Sequence, residues 1–159
     1  MQLFGRNKKQ TILAQQTGNA ILITEVPDPV FADKILGDGI AILPSENGVY
    51  SPVSGTIVQI AHTLHAIGIE SDDGIEVLVH LGIDTVKLNG EGFTCHVEVG
   101  QHVAAGEKVM EMDLQAITEK GYSTISPCII TNLDAVKNLE CEQGNVSGGK
   151  SVVMSFSKQ

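Results

Sequence analysis

Short aliphatic runs separated by turn residues recur along the whole chain: Ala20 to Ile23, Gly39 to Leu43, Gly55 to Ile60, Ala66 to Glu70, Ile75 to Val79, Lys108 to Met112, Cys128 to Ile130 and Val152 to Met154. Runs of this length and spacing predict an all-β sandwich or barrel, not the alternating strands and long helices of a parallel sheet. Asn47-Gly48 and Asn89-Gly90 supply the positive-φ residues that tight turns need. With no Trp and only 4% aromatic residues, the core must be aliphatic. A chain of 159 residues can bury such a core in one domain without disulfides or metals. Residues 17–159 are expected to form that domain, and residues 1–16 a flexible N-terminal segment. Ala14-Gln15-Gln16-Thr17-Gly18 echoes Ser51-Pro52-Val53-Ser54-Gly55, each ahead of an aliphatic run, which hints at duplicated β units.

Helices should be few and short. Asp28-Pro29 gives a capping residue and a proline at the first helical position, Phe31, Ile35 and Leu36 give an apolar stripe, and Gly37 gives a stop. Asp113 to Lys120 and Asn132 to Leu139 are further candidates of one or two turns, each opened by a capping residue.

The formal net charge of −9 argues against nucleic acid as a partner and for a basic protein surface. Cys95, Cys128 and Cys141 are odd in number and lack C-x-x-C spacing, so they read as reduced thiols of a cytoplasmic protein. No apolar run approaches the ~20 residues of a membrane span, and no signal peptide is evident. Met1 to Gln10 combines Leu3 and Phe4 with Arg6, Lys8 and Lys9, at most a weak amphipathic contact for an anionic membrane.

Two histidines, His65 and His80, flank a turn-rich tetrapeptide, Ser71-Asp72-Asp73-Gly74, that joins two of the strand-like runs. A turn centred between Asp72 and Asp73 would set His65 directly opposite His80, with their Cβ atoms about 4.5–5.5 Å apart. A one-residue bulge would break that register. By alternation, Ile67, Ile69, Leu78 and Glu76 share the histidine face, and Ala66, Gly68, Val77 and Val79 face the core. The imidazoles then stand on an apolar floor of Ile67 and Leu78, where desolvation keeps them neutral. His62, His96 and His102 read as surface residues.

Two neutral imidazoles support three chemistries. One Nε2 can carry a phosphoryl group while the other ring and a hydroxyl such as Thr63 hold its oxygens. His65, His80 and Asp84 could instead ligate zinc in a hydrolase, although no H-E-x-x-H run is present. Plain acid–base catalysis lacks an obvious nucleophile. A biotinyl or lipoyl carrier, prompted by Met110-Glu111-Met112, would need a lysine where Glu111 stands.

The run from Glu70 to Val86, with Val79-His80-Leu81-Gly82-Ile83-Asp84-Thr85 at its centre, followed by Leu88-Asn89-Gly90-Glu91-Gly92-Phe93, closely resembles the signature of the glucose-family IIA domains of the bacterial phosphoenolpyruvate:sugar phosphotransferase system. The resemblance extends to Val26 to Gly39, Ser51 to Thr56, Ser126-Pro127 and Thr131-Asn132. It implies a compact antiparallel β-sandwich of the barrel-sandwich, duplicated-hybrid type. It also implies a phosphocarrier that accepts a phosphoryl group from the histidine of HPr and passes it to the IIB domain of a sugar permease.

On that resemblance His80 is the phosphorylated residue, His65 assists the transfer, and Thr63 belongs to the same hydrogen-bonding group. Val30, Phe31, Ile35, Leu36, Leu78 and Val86 match the apolar docking ring, and Asp28 and Asp84 match acidic residues beside the site. No cofactor is implied. Zinc is expected only as a site shared by His65, His80 and a partner's carboxylate, and the unphosphorylated form could bind regulatory targets. Three positions depart from the family pattern: Leu64 stands where Asn is common, Leu78 where some members carry Phe, and Gln15-Gln16 where a proline approaches the first turn.

Overall fold

The structure is a computed structural model that describes residues 9–159. Its strands, in chain order, are β1 (Gln10–Leu13), β2 (Gly18–Leu22), β3 (Asp38–Pro44), β4 (Gly48–Tyr50), β5 (Gly55–Ile60), β6 (Ala66–Ser71) and β7 (Glu76–His80), followed by β8 (Phe93–Cys95), β9 (His102–Val103), β10 (Lys108–Met112), β11 (Ser126–Ile130), β12 (Val136–Cys141), β13 (Gly144–Val146) and β14 (Val152–Lys158). They form an eight-stranded sheet in the order β13-β2-β3-β11-β7-β6-β5-β9 and two three-stranded sheets, β1-β14-β12 and β4-β10-β8. Every pairing is antiparallel. The result is the all-β sandwich that the short runs imply.

Alternation along the large sheet separates two apolar layers. Ile40, Ile42, Val77, Val79, Ile67, Ile69, Cys128 and Ile130 enter the main core together with Ile12, Met110, Met112 and Met154. The other face carries Ala41, Ile129, Leu78 and Ile21. It is covered by the segment after β2, whose Ile23, Val26 and Phe31 close a second, smaller cluster. His80 ends β7 on this second face, because Val79 before it points into the main core. The small cluster is therefore the underlay of the site.

Of the expected helices, one forms as a single turn, α1 (Pro29–Ala32), with the Asp28 carboxylate accepting from the Val30 N–H. It stops well before Gly37 because Lys34 adopts φ 58, which breaks the helical path and turns Ile35 and Leu36 outward. The second, α2 (Leu114–Glu119), is capped by Asp113 as expected. The third reduces to one 3₁₀ turn, Leu133–Ala135, and the rest of Asn132 to Leu139 enters β12, where pairing with β14 outweighs local helix propensity.

The expected domain boundary at Thr17 moves. Gln10–Leu13 pairs with β14, and Ala14, Gln15 and Gln16 are fully buried, so the folded part includes at least Gln10 to Gln16. The two echoed segments lie side by side: Leu13 N–H donates to Pro52 O, and Tyr50 N–H donates to Gln15 O. Most of the expected membrane-contacting segment, residues 1–8, lies outside the described residues. Among the described residues, no helix is long and apolar enough to cross a membrane. Cys95, Cys128 and Cys141 are free thiols, and burial pushes Cys128 up to about 12 and Cys141 up to about 11, which keeps both protonated.

Candidate active site

The β6–β7 hairpin is displaced by one residue from the expected register. Ala66, not His65, pairs with His80, and Gly68 pairs with Leu78. The cause is the turn. Ser71 N–H donates to Ile75 O, so the loop is three residues, Asp72-Asp73-Gly74, with Gly74 at φ 86 and the Ser71 hydroxyl accepting from Ile75 N–H. A three-residue loop of this kind offsets the strands by one position relative to a two-residue turn. The faces exchange accordingly: Ile67 and Ile69 belong to the main core, and the histidine face carries Ala66, Gly68 and Leu78.

The histidines meet all the same, because His65 lies outside strand alternation. It sits in the loop between β5 and β6, where Ala61 N–H donates to Ala66 O and Leu64 takes φ 61. That left-handed step is costly for leucine and easier for asparagine or glycine. It is compensated by packing of the half-buried Leu64 against the main core. Leu81 N–H donates to His65 O at 2.7 Å, tying the loop to the end of β7. The two rings stand edge to face with centroids 5.0 Å apart, and the Phe31 ring also packs against His80, tilted, with centroids 5.0 Å apart.

Hydrogen bonds orient each ring. His80 Nδ1 pairs with Gly82 O at 2.8 Å, an acceptor-only partner, so Nδ1 carries the proton and Nε2 keeps its lone pair. His65 Nδ1 pairs with Thr63 Oγ1 at 2.6 Å. Thus His80, His65 and Thr63 gather as expected, with the floor supplied by Phe31 and Leu78 instead of Ile67.

Burial holds both histidines below their ordinary pKa of 6.5, and His80 lowers His65 further. For His80, the Gly82 carbonyl and the carboxylates of Asp28 and Asp84 act in the opposite direction without overcoming desolvation. Both rings are therefore neutral at pH 7. The folded state takes up these protons later than the unfolded state, so their contribution to stability is full above about pH 6.5 and falls as pH drops below it. NMR titration should give midpoints below 6.5 for both rings; a midpoint at or above 6.5 for His80 contradicts the desolvated site.

The residues expected in the apolar docking ring fall into two groups by exposure. Val30 (40% exposed), Ile35 (67%), Leu36 (44%) and Val86 (48%) project outward, whereas Phe31 is only 4% exposed and serves as a wall of the site. Asp84 is exposed, at φ 60, and Asp28 is half-buried at the cap of α1. His62 is exposed, and His96 and His102 are spent on surface pairs with Glu111 and Asp72.

The alternative chemistries find little support. Among the described residues, no three His, Cys, Asp or Glu side chains gather in a metal-holding group, as a zinc hydrolase would need. Met110, Glu111 and Met112 lie within strand β10, two of them buried, and not at the tip of a turn.

Sequence reasoning missed Gly82, whose carbonyl sets the His80 tautomer, and the buried Ser126 and Gln15 behind it. Gly82 stands inside the run that carries the family resemblance, but residue type does not announce the direction of its carbonyl.

Residues 10–136 match the family model described as phosphoenolpyruvate-dependent sugar phosphotransferase system, EIIA 1. The chain is 50% identical over 156 residues to the PTS system glucose-specific EIIA component of Bacillus anthracis, covering 96% of this chain and 94% of that one. It is 48% identical over 129 residues to the glucose-specific EIICBA component of Staphylococcus saprophyticus, covering 81% of this chain and 19% of that protein. Among solved structures it resembles the glucose permease IIA from Mycoplasma capricolum with a TM-score of 0.88 at 41% identity, covering 94% of this chain and 96% of that one.

Proposed function

The chain belongs to the EIIA 1 family of the phosphoenolpyruvate-dependent sugar phosphotransferase system, and from that premise we propose that it is a cytoplasmic phosphocarrier that accepts a phosphoryl group from phospho-HPr on His80 and passes it to the IIB domain of a sugar permease. The observation that carries this reading is the His80 ring itself: its Nδ1 proton is engaged by Gly82 O, and its Nε2 is deprotonated beside a second imidazole.

In the transfer, the His80 Nε2 lone pair attacks phosphorus, the bond from phosphorus to the donor's histidine nitrogen breaks, and the electron pair returns to the donor ring. The Nδ1 proton stays in place throughout, held by Gly82 O. Thr63 donates its hydroxyl proton to His65 Nδ1, which leaves the His65 proton on Nε2, free to bond a phosphoryl oxygen. Positioning and charge stabilisation account for most of such a transfer. The exposed Val30, Ile35, Leu36 and Val86 form the landing surface, and Asp28 and Asp84 suit basic partners. A relative whose name joins the IIC, IIB and IIA designations in one chain supports IIB as the acceptor.

Phosphorylation adds about −1.5 to −2 charge at that surface, so the two forms will differ in partner preference, which gives the unphosphorylated form a regulatory use. A zinc ion shared with a partner's carboxylate would take the His80 Nε2 lone pair and would require His65 to carry its proton on Nδ1, donated to Thr63 Oγ1, so that its Nε2 is free.

Incubation with phosphoenolpyruvate, enzyme I and HPr should load one acid-labile phosphoryl group per chain; no loading refutes the reading. His65→Gln should still load while transfer onward to a IIB domain slows by about 10²-fold, the size of effect that misplacing a reacting group produces. Transfer at the wild-type rate would remove His65 from the mechanism.

A further inference from the structure

Behind the site runs a chain of buried polar contacts that the phosphoryl-transfer scheme does not use. Gly82 N–H donates to Ser126 Oγ at 3.2 Å, and Ile83 N–H donates to Ser123 O at 3.1 Å. The second of these belongs to the same peptide unit as the Gly82 carbonyl that receives His80 Nδ1–H. Ser126 Oγ in turn donates to Thr124 O, and Ser126 O accepts from Gln15 Nε2 at 2.9 Å. Gln16 Nε2 reaches Met112 Sδ, which Ser126 Oγ also touches.

Gln15, Gln16 and Ser126 are all 0% exposed, and the side-chain carbonyls of both glutamines have no partner among the described residues. An unpartnered buried amide oxygen is a cost that an apolar residue of similar shape avoids. Two adjacent glutamines kept at that cost, both converging on the Ser126–Met112 contact, point to a role other than stability.

We infer that Ser126, with Ser123 and Gln15 behind it, is a positioning residue that fixes the Gly82 turn so that its carbonyl holds the Nδ1 proton of His80 and leaves Nε2 as the phosphoryl-accepting nitrogen. The action is geometric. Gly82 N–H and Gly82 C=O belong to successive peptide units on either side of one Cα, and anchoring the first while bonding the N–H of the second leaves the carbonyl no other direction. The bond from Ile83 N–H to Ser123 O also polarises the carbonyl that His80 uses. The phosphoryl-transfer part of the inference rests on the role proposed for His80; the tautomer part stands without it.

The test is long-range ¹H–¹⁵N NMR of the histidine rings in the full chain, together with the rate of phosphoryl acceptance from phospho-HPr. Wild-type His80 should show the Nδ1–H tautomer. In Ser126→Ala the Nε2–H tautomer should appear and the acceptance rate should fall about 10- to 100-fold. The His80 titration midpoint should also drop, since the lost carbonyl bond favours the protonated ring. Ser126→Thr keeps a hydroxyl and should restore all three.

Gln15→Met removes the rear tether on Ser126 O, and with it the unpartnered Gln15 Oε1, and should shift the tautomer in the same direction if Ser126→Ala fails to fold. A Ser126→Ala protein that is merely less heat-stable, with wild-type tautomer and midpoint, overturns the inference; so does an unchanged tautomer in Gln15→Met when Ser126→Ala cannot be measured. A shifted tautomer in a protein that never loads phosphate would instead refute the role of His80 and leave the positioning intact.

Discussion

On the role proposed for His80, His80→Ala should abolish phosphoryl acceptance from phospho-HPr while leaving a folded protein. The loss is complete because no other ring in the site offers a free, oriented nitrogen. His65 Nδ1 is engaged by the Thr63 hydroxyl, His62 is exposed, and His96 and His102 are paired with carboxylates. The fold survives because His80 is the last residue of β7, and its backbone pairing with Ala66 does not need the ring. Removing the ring bares one side of Phe31 and costs about 1–2 kcal/mol, within the range of ordinary single substitutions. Radiolabel transfer in the presence of enzyme I and HPr, with a thermal melt as the control for folding, checks both halves. Residual loading of His80→Ala would place the acceptor elsewhere, and His65 would be the first residue to examine.

Much of this site was legible in the sequence, for unequal reasons. The family run around His80 and the short aliphatic runs identified both the sandwich and the pair of rings. The register did not follow. A turn of Ser71, Asp72, Asp73 and Gly74 can be closed as a two-residue or a three-residue loop, and the hydrogen bonds of the Ser71 hydroxyl with Ile75 and Asp73 N–H favour the longer one. One residue of slip exchanged Ile67 for Ala66 on the histidine face, yet His65 still reached His80 because Leu64 turns the chain at φ 61. Strand alternation cannot forecast a contact made by a loop.

Other expectations failed for similar reasons. The Asp28 cap and Pro29 fixed where α1 begins, while its end depended on Lys34 entering a left-handed conformation that the residue type does not announce. Gln15 and Gln16 looked like part of a polar leader. Only the pairing of β1 with β14, distant in sequence, shows that they are buried.

Gly82→Ala is expected to damage stability and phosphoryl acceptance together, and Gly74→Ala separates the two causes. Both glycines have positive φ, 80 for Gly82 and 86 for Gly74, so alanine at either position costs about 1–2 kcal/mol for the left-handed backbone. At Gly74 a methyl group meets nothing within 4 Å, and the cost should end there. At Gly82 it would sit 2.5 Å from Thr85 Cγ2 and 2.8 Å from Ser123 O, both on buried or tethered segments that cannot yield cheaply. The total at Gly82 should reach roughly 3–5 kcal/mol.

The same collision pushes Ser123 away from the peptide that carries the His80 acceptor. Whatever protein remains folded should therefore load phosphate at least tenfold more slowly than Gly74→Ala, a misplacement effect of ordinary size. Denaturant melts and initial loading rates on the two variants read these quantities directly. Equal loading rates for the two would mean that the Gly82 carbonyl does not orient the phosphoryl-accepting ring.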